Sequence, residues 1–208
     1  KLFKGAMTSD GLPLNEMNAC MMAGAHPNLI PVLGKLAAHP EDAHGLVMGL
    51  IDTSFRNLAG PPSLDSCTRD VYPADTSFDV DAAIRLALNI ASAAAHLHAQ
   101  GIVHGDLYGH NILHGADGQA LLGDFGAASF VPPDDPVVAK ALERIEVRAF
   151  SCLLEELLER TLEKQDSAVN REKAEKLKYL QAACAQENVS GRPLFTEILK
   201  TLADLSNE

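Results

Sequence analysis

Asp106, Asn111 and Asp124 stand five and thirteen residues apart in GIVHGDLYGHNILHGADGQALLGDFGAAS (101–129), a stretch of mostly small and apolar residues. Between the last two, Ile112–His114 and Ala120–Leu122 read as short strands, with the turn at Ala116-Asp117-Gly118. A hairpin of that kind sets Asn111 and Asp124 side by side at one end, and Asp106 hangs from the loop just before them. Two oxygen ligands beside a free carboxylate suit Mg²⁺ and a phosphate chain, because Mg²⁺ takes one or two protein oxygens and completes its shell with water and phosphate. Taken alone, Asp106 would more simply be read as an aspartate bonded to its own loop. The three together favour chemistry.

The surrounding elements must hold this hairpin in place. Residues 1–5 look like the tail of a strand, and a helix is expected over Pro13–Ala23, ending near Gly24. HPNLIPVLG (26–34) enters a second strand, and GLVMGLI (45–51) reads as a third, too apolar for an exposed edge. Residues 52–76 shift to Pro, Ser, Asp and Thr, the composition of a linker with little regular structure. The strongest helical pattern follows, with Ile84, Leu88, Ala91, Ala95 and His98 on one face. Asp79 and Asp81 favour its first turn and Gly101 its stop. After VPPDDP comes a long helix over 137–163, with Val147, Phe150, Leu154 and Leu157 aligned, then helices over 171–187 and in GRPLFTEILKTLADL. The opening is strand-rich and the remainder mainly helical.

The chain has 208 residues, enough for a substantial core, and 47% of them are hydrophobic. Its formal charge of −11, from 17 basic and 28 acidic residues, argues against a nucleic-acid surface. Cys20, Cys67, Cys152 and Cys184 lack CxxC or metal-ligand spacing and read as reduced thiols of a cytoplasmic protein. No apolar run of transmembrane length and no signal peptide stand out, so no membrane partner is expected. The opening KLFKG, without a Met, suggests a chain entered partway along a strand.

In this order the pieces resemble a protein kinase of bacterial type, entered inside its small lobe. HGDLYGHN matches the catalytic loop H-R-D-L-x-x-x-N at His104, Asp106, Leu107 and Asn111, and DFG is intact at 124–126. HPNLIPVLG is similar to the segment after the small-lobe helix, LVMG to the strand entering the hinge, EVRAFSCLLEELLE to the central helix of the large lobe, and GRPLFTEIL to the segment that closes it. The fold implied is α+β: an incomplete, antiparallel small lobe over 1–51 (third to fifth strands and one helix) and a mainly helical lobe over 52–208. The resemblance implies ATP and Mg²⁺ as cofactors, Asp106 as catalytic base, and Asn111 and Asp124 as metal ligands. It also implies a nucleotide-binding set of Lys1, Glu16, Met48 at the gatekeeper position, and Leu50. Lys4 competes with Lys1 for the phosphate-holding role but reads better as a solvated lysine. His104 is expected in an apolar stack with Cys20, Val32 and Phe125. His110 and His114 lack ligand spacing and are assigned no chemistry.

The pattern also departs from that family. A Gly-rich loop would precede Lys1 and is not in the chain; Gly105 replaces the arginine before the catalytic aspartate, and Tyr108 a lysine two residues after it. Only AASFVPPDDPVVAKALERI separates DFG from the central-helix motif, leaving no recognisable A-P-E segment or peptide platform. Arg192 is therefore expected to find another acid, and Glu146 stands where an aspartate normally anchors the catalytic loop. Two aspartates in VPPDDP would favour a cationic acceptor. The leading reading is an ATP- and Mg²⁺-dependent phosphotransferase whose acceptor is a protein or small molecule. The alternatives are a small-molecule kinase resembling aminoglycoside or choline kinases, and an inactive pseudokinase-type interaction module.

Overall fold

The computed structural model describes residues 1–3, 12–40, 43–66, 69–161 and 167–208. Lys4, Cys67 and the 162–163 end of the long expected helix lie outside these residues. Helix α1 spans Pro13–Ala23, as the sequence pattern predicts, because Pro13 opens its first turn and Gly24 leaves it at φ 66°. Strands β1 (Val32–Lys35) and β2 (Leu46–Met48) pair antiparallel, and Leu2 bridges Gly45 on the other side of β2. β2 is shorter than the expected 45–51. Leu50 is fully exposed beyond its end.

The 52–76 segment is more ordered than its composition suggests. It contributes β3 (Arg56–Asn57), which adds to the hairpin of β5 (Ile112–His114) and β6 (Ala120–Leu122) in the order β3-β5-β6. Gly60 and Val71 close a further antiparallel bridge. The hairpin has the expected strands and turn, with Ile112 opposite Leu122. Asp117 takes φ 55° and Gly118 φ 78° in its turn, and a side chain on Gly118 would collide with the Ala82 carbonyl of the helix beneath.

That helix is α2 (Val80–Ala99), whose Asp79 cap accepts a hydrogen bond from the Ala82 amide at 2.6 Å. Such a cap contributes roughly 1 kcal/mol. By length and a mean hydropathy of 1.2, α2 is long and apolar enough to cross a membrane, contrary to the expectation from sequence. Here it is the core helix: Ile84, Leu86, Ala87, Ile90, Ala91, Ala94 and Leu97 are wholly buried. It packs on α3 (Pro136–Glu159), α4 (Ala168–Cys184) and α5 (Phe195–Ser206). Phe150 and Phe195 meet edge to face at 5.6 Å in this core, and burying a side chain of that size is worth about 1.5–3 kcal/mol.

One hydrophobic cluster runs from Phe3, Met17 and Cys20 of the strand-bearing part through to Leu202 and Leu205. Two histidines join its halves. His96 of α2 donates to the Ala23 carbonyl at 2.6 Å and stacks on His26 at 4.8 Å. His26 Nδ1 accepts from the Asn28 amide, so its Nε2 carries the hydrogen facing Ser92 Oγ.

Candidate active site

The loop bearing Asp106 is hung from the core by its neighbours. Strand β4 (Ile102–Val103) is buried and delivers His104 into the interior. There His104 Nε2 donates to the Gly123 carbonyl at 2.9 Å, Nδ1 accepts from the Asp106 amide, and the ring lies 5.2 Å from Phe125. His104 thus has an architectural place beside Phe125, which belongs to the same hydrophobic cluster as Cys20, with Val32 packed against it. Gly105 adopts φ 82°, and its amide donates to Glu146 Oε1 of α3 at 2.8 Å. The longer acid does reach the loop. Its other oxygen accepts from His98 Nε2 at 2.7 Å, and Glu146 is 4% exposed.

Asp106 Oδ2 takes two hydrogen bonds. Asn111 Nδ2 donates to it at 2.7 Å and to the Asp106 carbonyl at 2.9 Å, leaving Asn111 Oδ1 as the atom able to ligate a cation. His110 Nε2 is the second donor, at 3.2 Å. The opposite ring nitrogen of His110 donates to Asp70 Oδ1 at 2.8 Å, and its main-chain amide to Asp70 Oδ2 at 3.0 Å. Donating from both ring nitrogens requires the imidazolium form of His110; burial lowers its pKa, but the carboxylates of Asp70 and Asp106 outweigh it and raise the value overall. Sequence reasoning missed this arrangement. His110 had been given no chemistry, and Asp70 lay in the presumed linker, forty residues away.

On the facing side, Asp124 has φ 53°, a left-handed conformation that Asp tolerates, with the Gly126 amide bonded back to Oδ1 at 3.3 Å. Lys1 is held beside β2 by main-chain hydrogen bonds to Leu46. Its Nζ reaches Glu16 Oε1 at 2.6 Å and Asp124 Oδ1 at 3.3 Å. Burial lowers the Lys1 pKa, whereas Glu16 and Asp124 raise it further, and the net direction is upward. Glu16 is buried, so α1, the opening residue Lys1 and the DFG segment meet at one ion-paired node.

A cleft of about 250 Å³ is lined by Lys1, Met48, Asn57, His110, Asn111 and Asp124, with Ile30, Leu113 and Gly123. Asn111 and Asp124 therefore share a space, as the hairpin spacing predicts. Asp106 is not among the lining residues; it is joined to two of them, Asn111 and His110, by hydrogen bonds. Leu50 is not among the lining residues, and its side chain is exposed. Among the described residues no three His, Cys, Asp or Glu side chains are grouped to hold a metal ion. A cation in this cleft would need ligand oxygens from a bound phosphate chain.

The family model for the protein kinase domain matches residues 12–146, the span that contains α1, the described strands and the loop just described. The chain belongs to the protein kinase family. Among curated proteins, this kinase chain is 27% identical over 154 residues to a protein of Acanthamoeba polyphaga mimivirus named as a serine/threonine-protein kinase, covering 73% of this chain and 25% of that one. It is 40% identical over 63 residues to an eIF-2-alpha kinase of Arabidopsis thaliana (30% and 5%) and 28% identical over 131 residues to a cyclin-dependent kinase of Caenorhabditis elegans (62% and 17%). The chain spans a quarter or less of the length of these relatives.

Several expectations about kinase departures change on the structure. Arg192 is satisfied by the carbonyls of Gln186 and Arg144, at 2.7 and 3.0 Å, rather than by a replacement acid. The segment after DFG is shorter than the motif spacing suggests, because α3 begins at Pro136 and absorbs VVAKALERI. Before it, β7 (Ser129–Phe130) pairs with β4. Asp135 is spent as the cap of α3, accepting from the Val137 and Val138 amides, so only Asp134 remains of the acidic pair proposed to face an acceptor.

Proposed function

We propose that this chain carries the phosphotransfer centre of an ATP- and Mg²⁺-dependent kinase. The observation that carries the reading is the shared cleft of Lys1, Asn111 and Asp124, with Glu16 paired to Lys1 and Asp106 hydrogen-bonded to Asn111. The residues fit the cofactors. Lys1 presents an ammonium where the inner phosphates would lie, and Asn111 Oδ1 and the half-exposed Asp124 carboxylate present oxygens for a hard cation. Bound Mg²⁺ supplies neutralisation of charge on the transferring phosphoryl group. The chain's own groups position and move the proton: Asp106 Oδ2 is engaged, and Oδ1 is the oxygen left to accept a proton from the attacking hydroxyl. Met48 lines the cleft where a base would enter.

A second reading, transfer to a small molecule, is favoured by one observation. Residues 127–135 pass directly from DFG through β7 into α3, with no further segment on which an extended peptide could lie. The test is labelled ATP with the full-length protein against a panel of small amines, alcohols, short peptides and folded proteins. Mg²⁺-dependent transfer that disappears in Asp106→Asn is expected. Efficient transfer to short unstructured peptides contradicts the small-acceptor reading. Nucleotide binding without transfer to any acceptor supports an interaction module instead.

A further inference from the structure

We propose that Asp70 and His110 form a positioning pair that fixes the rotamer of Asp106 and aims its Oδ1 at the acceptor. The inference rests on the reading of Asp106 as the catalytic base and adds two residues to it. A carboxylate on a surface loop rotates freely about its last bond, and Asp106 keeps 35% of its side chain exposed. Two donors converging on one of its oxygens remove that freedom. Asn111 is one of them; His110 is the other.

His110 is itself fixed from several directions. The Asp70 side chain is 2% exposed, and its two oxygens take the ring Nδ1–H and the main-chain N–H of the same histidine. That two-point hold defines the plane of the imidazole. Tyr108 lies parallel to it, with centroids 6.2 Å apart and planes 9° from each other. The loop can approach so closely because residue 109 is glycine: a Cβ there would stand 2.6 Å from the Tyr72 hydroxyl and 3.1 Å from Asp70 Oδ2. Tyr72 is in turn tied to Glu156 of α3 at 2.9 Å, with the Arg160 guanidinium 3.8 Å over its ring. Tyr72 and Asp70 thus both flank Gly109, and from Asp70 the hydrogen bonds run to His110 and end on the Asp106 carboxylate.

The competing account is that Asp70 and His110 merely staple the 60–71 segment to the loop. The two accounts separate in kinetics. A staple acts on stability and on the whole cleft, whereas a positioning pair acts on turnover at unchanged nucleotide affinity. The experiment measures Mg²⁺-dependent ATP hydrolysis, with water as acceptor, for the full-length wild type, His110→Ala, His110→Gln, Asp70→Asn and Asp106→Asn. Thermal melts and the KM for ATP are recorded alongside. Misaiming a reacting group by about an ångström costs on the order of a hundredfold, so His110→Ala should lose about ten- to a hundredfold in kcat, with KM held within about twofold. His110→Gln keeps an N–H able to reach Asp106 Oδ2 and should recover most of that loss. Asp70→Asn keeps an acceptor for the His110 main-chain amide while weakening the ring contact, so it reads the same effect if His110→Ala does not fold. Wild-type kcat in both His110→Ala and Asp70→Asn, with Asp106→Asn inactive, overturns the positioning pair and leaves the phosphotransfer reading standing. Full turnover in Asp106→Asn overturns that reading, and the positioning pair with it.

Discussion

Replacing Glu146 with alanine should be among the most damaging single changes outside the cleft. Its carboxylate is buried beneath the Asp106 loop and satisfies two donors, the Gly105 amide at 2.8 Å and His98 Nε2 at 2.7 Å. His98 stacks on Phe195 at 5.5 Å, and Phe195 is wholly buried, so the imidazole cannot turn outward to find water. Glu146→Ala therefore leaves the buried His98 Nε2 without its acceptor, at roughly 1–3 kcal/mol, frees the exposed Gly105 amide to solvent, and opens a void where the side-chain methylenes were. A loss of about 2–4 kcal/mol follows. Set against a stability of about 5–15 kcal/mol, that is a large fraction. For a chain of this size each kcal/mol moves the midpoint by about 2–4 °C, so the melt should fall by about 4–16 °C. Glu146→Gln keeps an acceptor for Gly105 and should cost far less. Urea titration of both variants, with m-values compared, is the assay. A Glu146→Ala loss below about 0.5 kcal/mol, the scale of a surface change, would refute the anchoring argument.

Three further outcomes follow from the same geometry. Restoring the family arginine with Gly105→Arg should destabilise by more than about 1 kcal/mol, since φ 82° disfavours any side chain and its Cβ would press on the Ala127 carbonyl; thermal melts check it. Ser129 is exposed on β7, so Ser129→Ala should leave phosphotransfer within about twofold of wild type in initial-rate assays. Burial, and then the neighbouring His96, lower the His26 pKa, so the unfolded chain binds the extra proton more readily. The stability that neutral His26 contributes is present above its ordinary value near 6.5 and is lost as pH falls through the folded value. Denaturant midpoints at pH 7.5 and 5.5 should therefore differ more for wild type than for His26→Gln.

The parts of the site that were legible in the sequence are those set by local rules. The β5–β6 hairpin follows from two short apolar runs around Ala-Asp-Gly, and α1 from a proline at its start and a glycine at its end. The Lys1–Glu16 pair and the Asn111–Asp124 face were accessible because motif spacing carries them. The 52–76 segment was not, since its order comes from β5 and from Tyr72 against α3, partners that no window of Pro, Ser and Asp can reveal. Asp70 was hidden for the same reason, and with it the role of His110. The start of α3 was legible to within one residue, since VPPDDP ends the preceding segment and Asp135 and Pro136 together make a helix entry. Arg192 shows the converse error, in which an expected acid is replaced by two main-chain carbonyls.

The most direct test of the account is calorimetric binding of a non-hydrolysable ATP analogue to the full-length protein, with and without Mg²⁺, in wild type and Asp124→Asn. If Asp124 supplies a metal oxygen in the cleft, wild-type affinity should rise with Mg²⁺ and Asp124→Asn should lose about tenfold or more of that gain. Equal affinity in the presence and absence of Mg²⁺, or an Asp124→Asn protein that responds to Mg²⁺ as the wild type does, would contradict it.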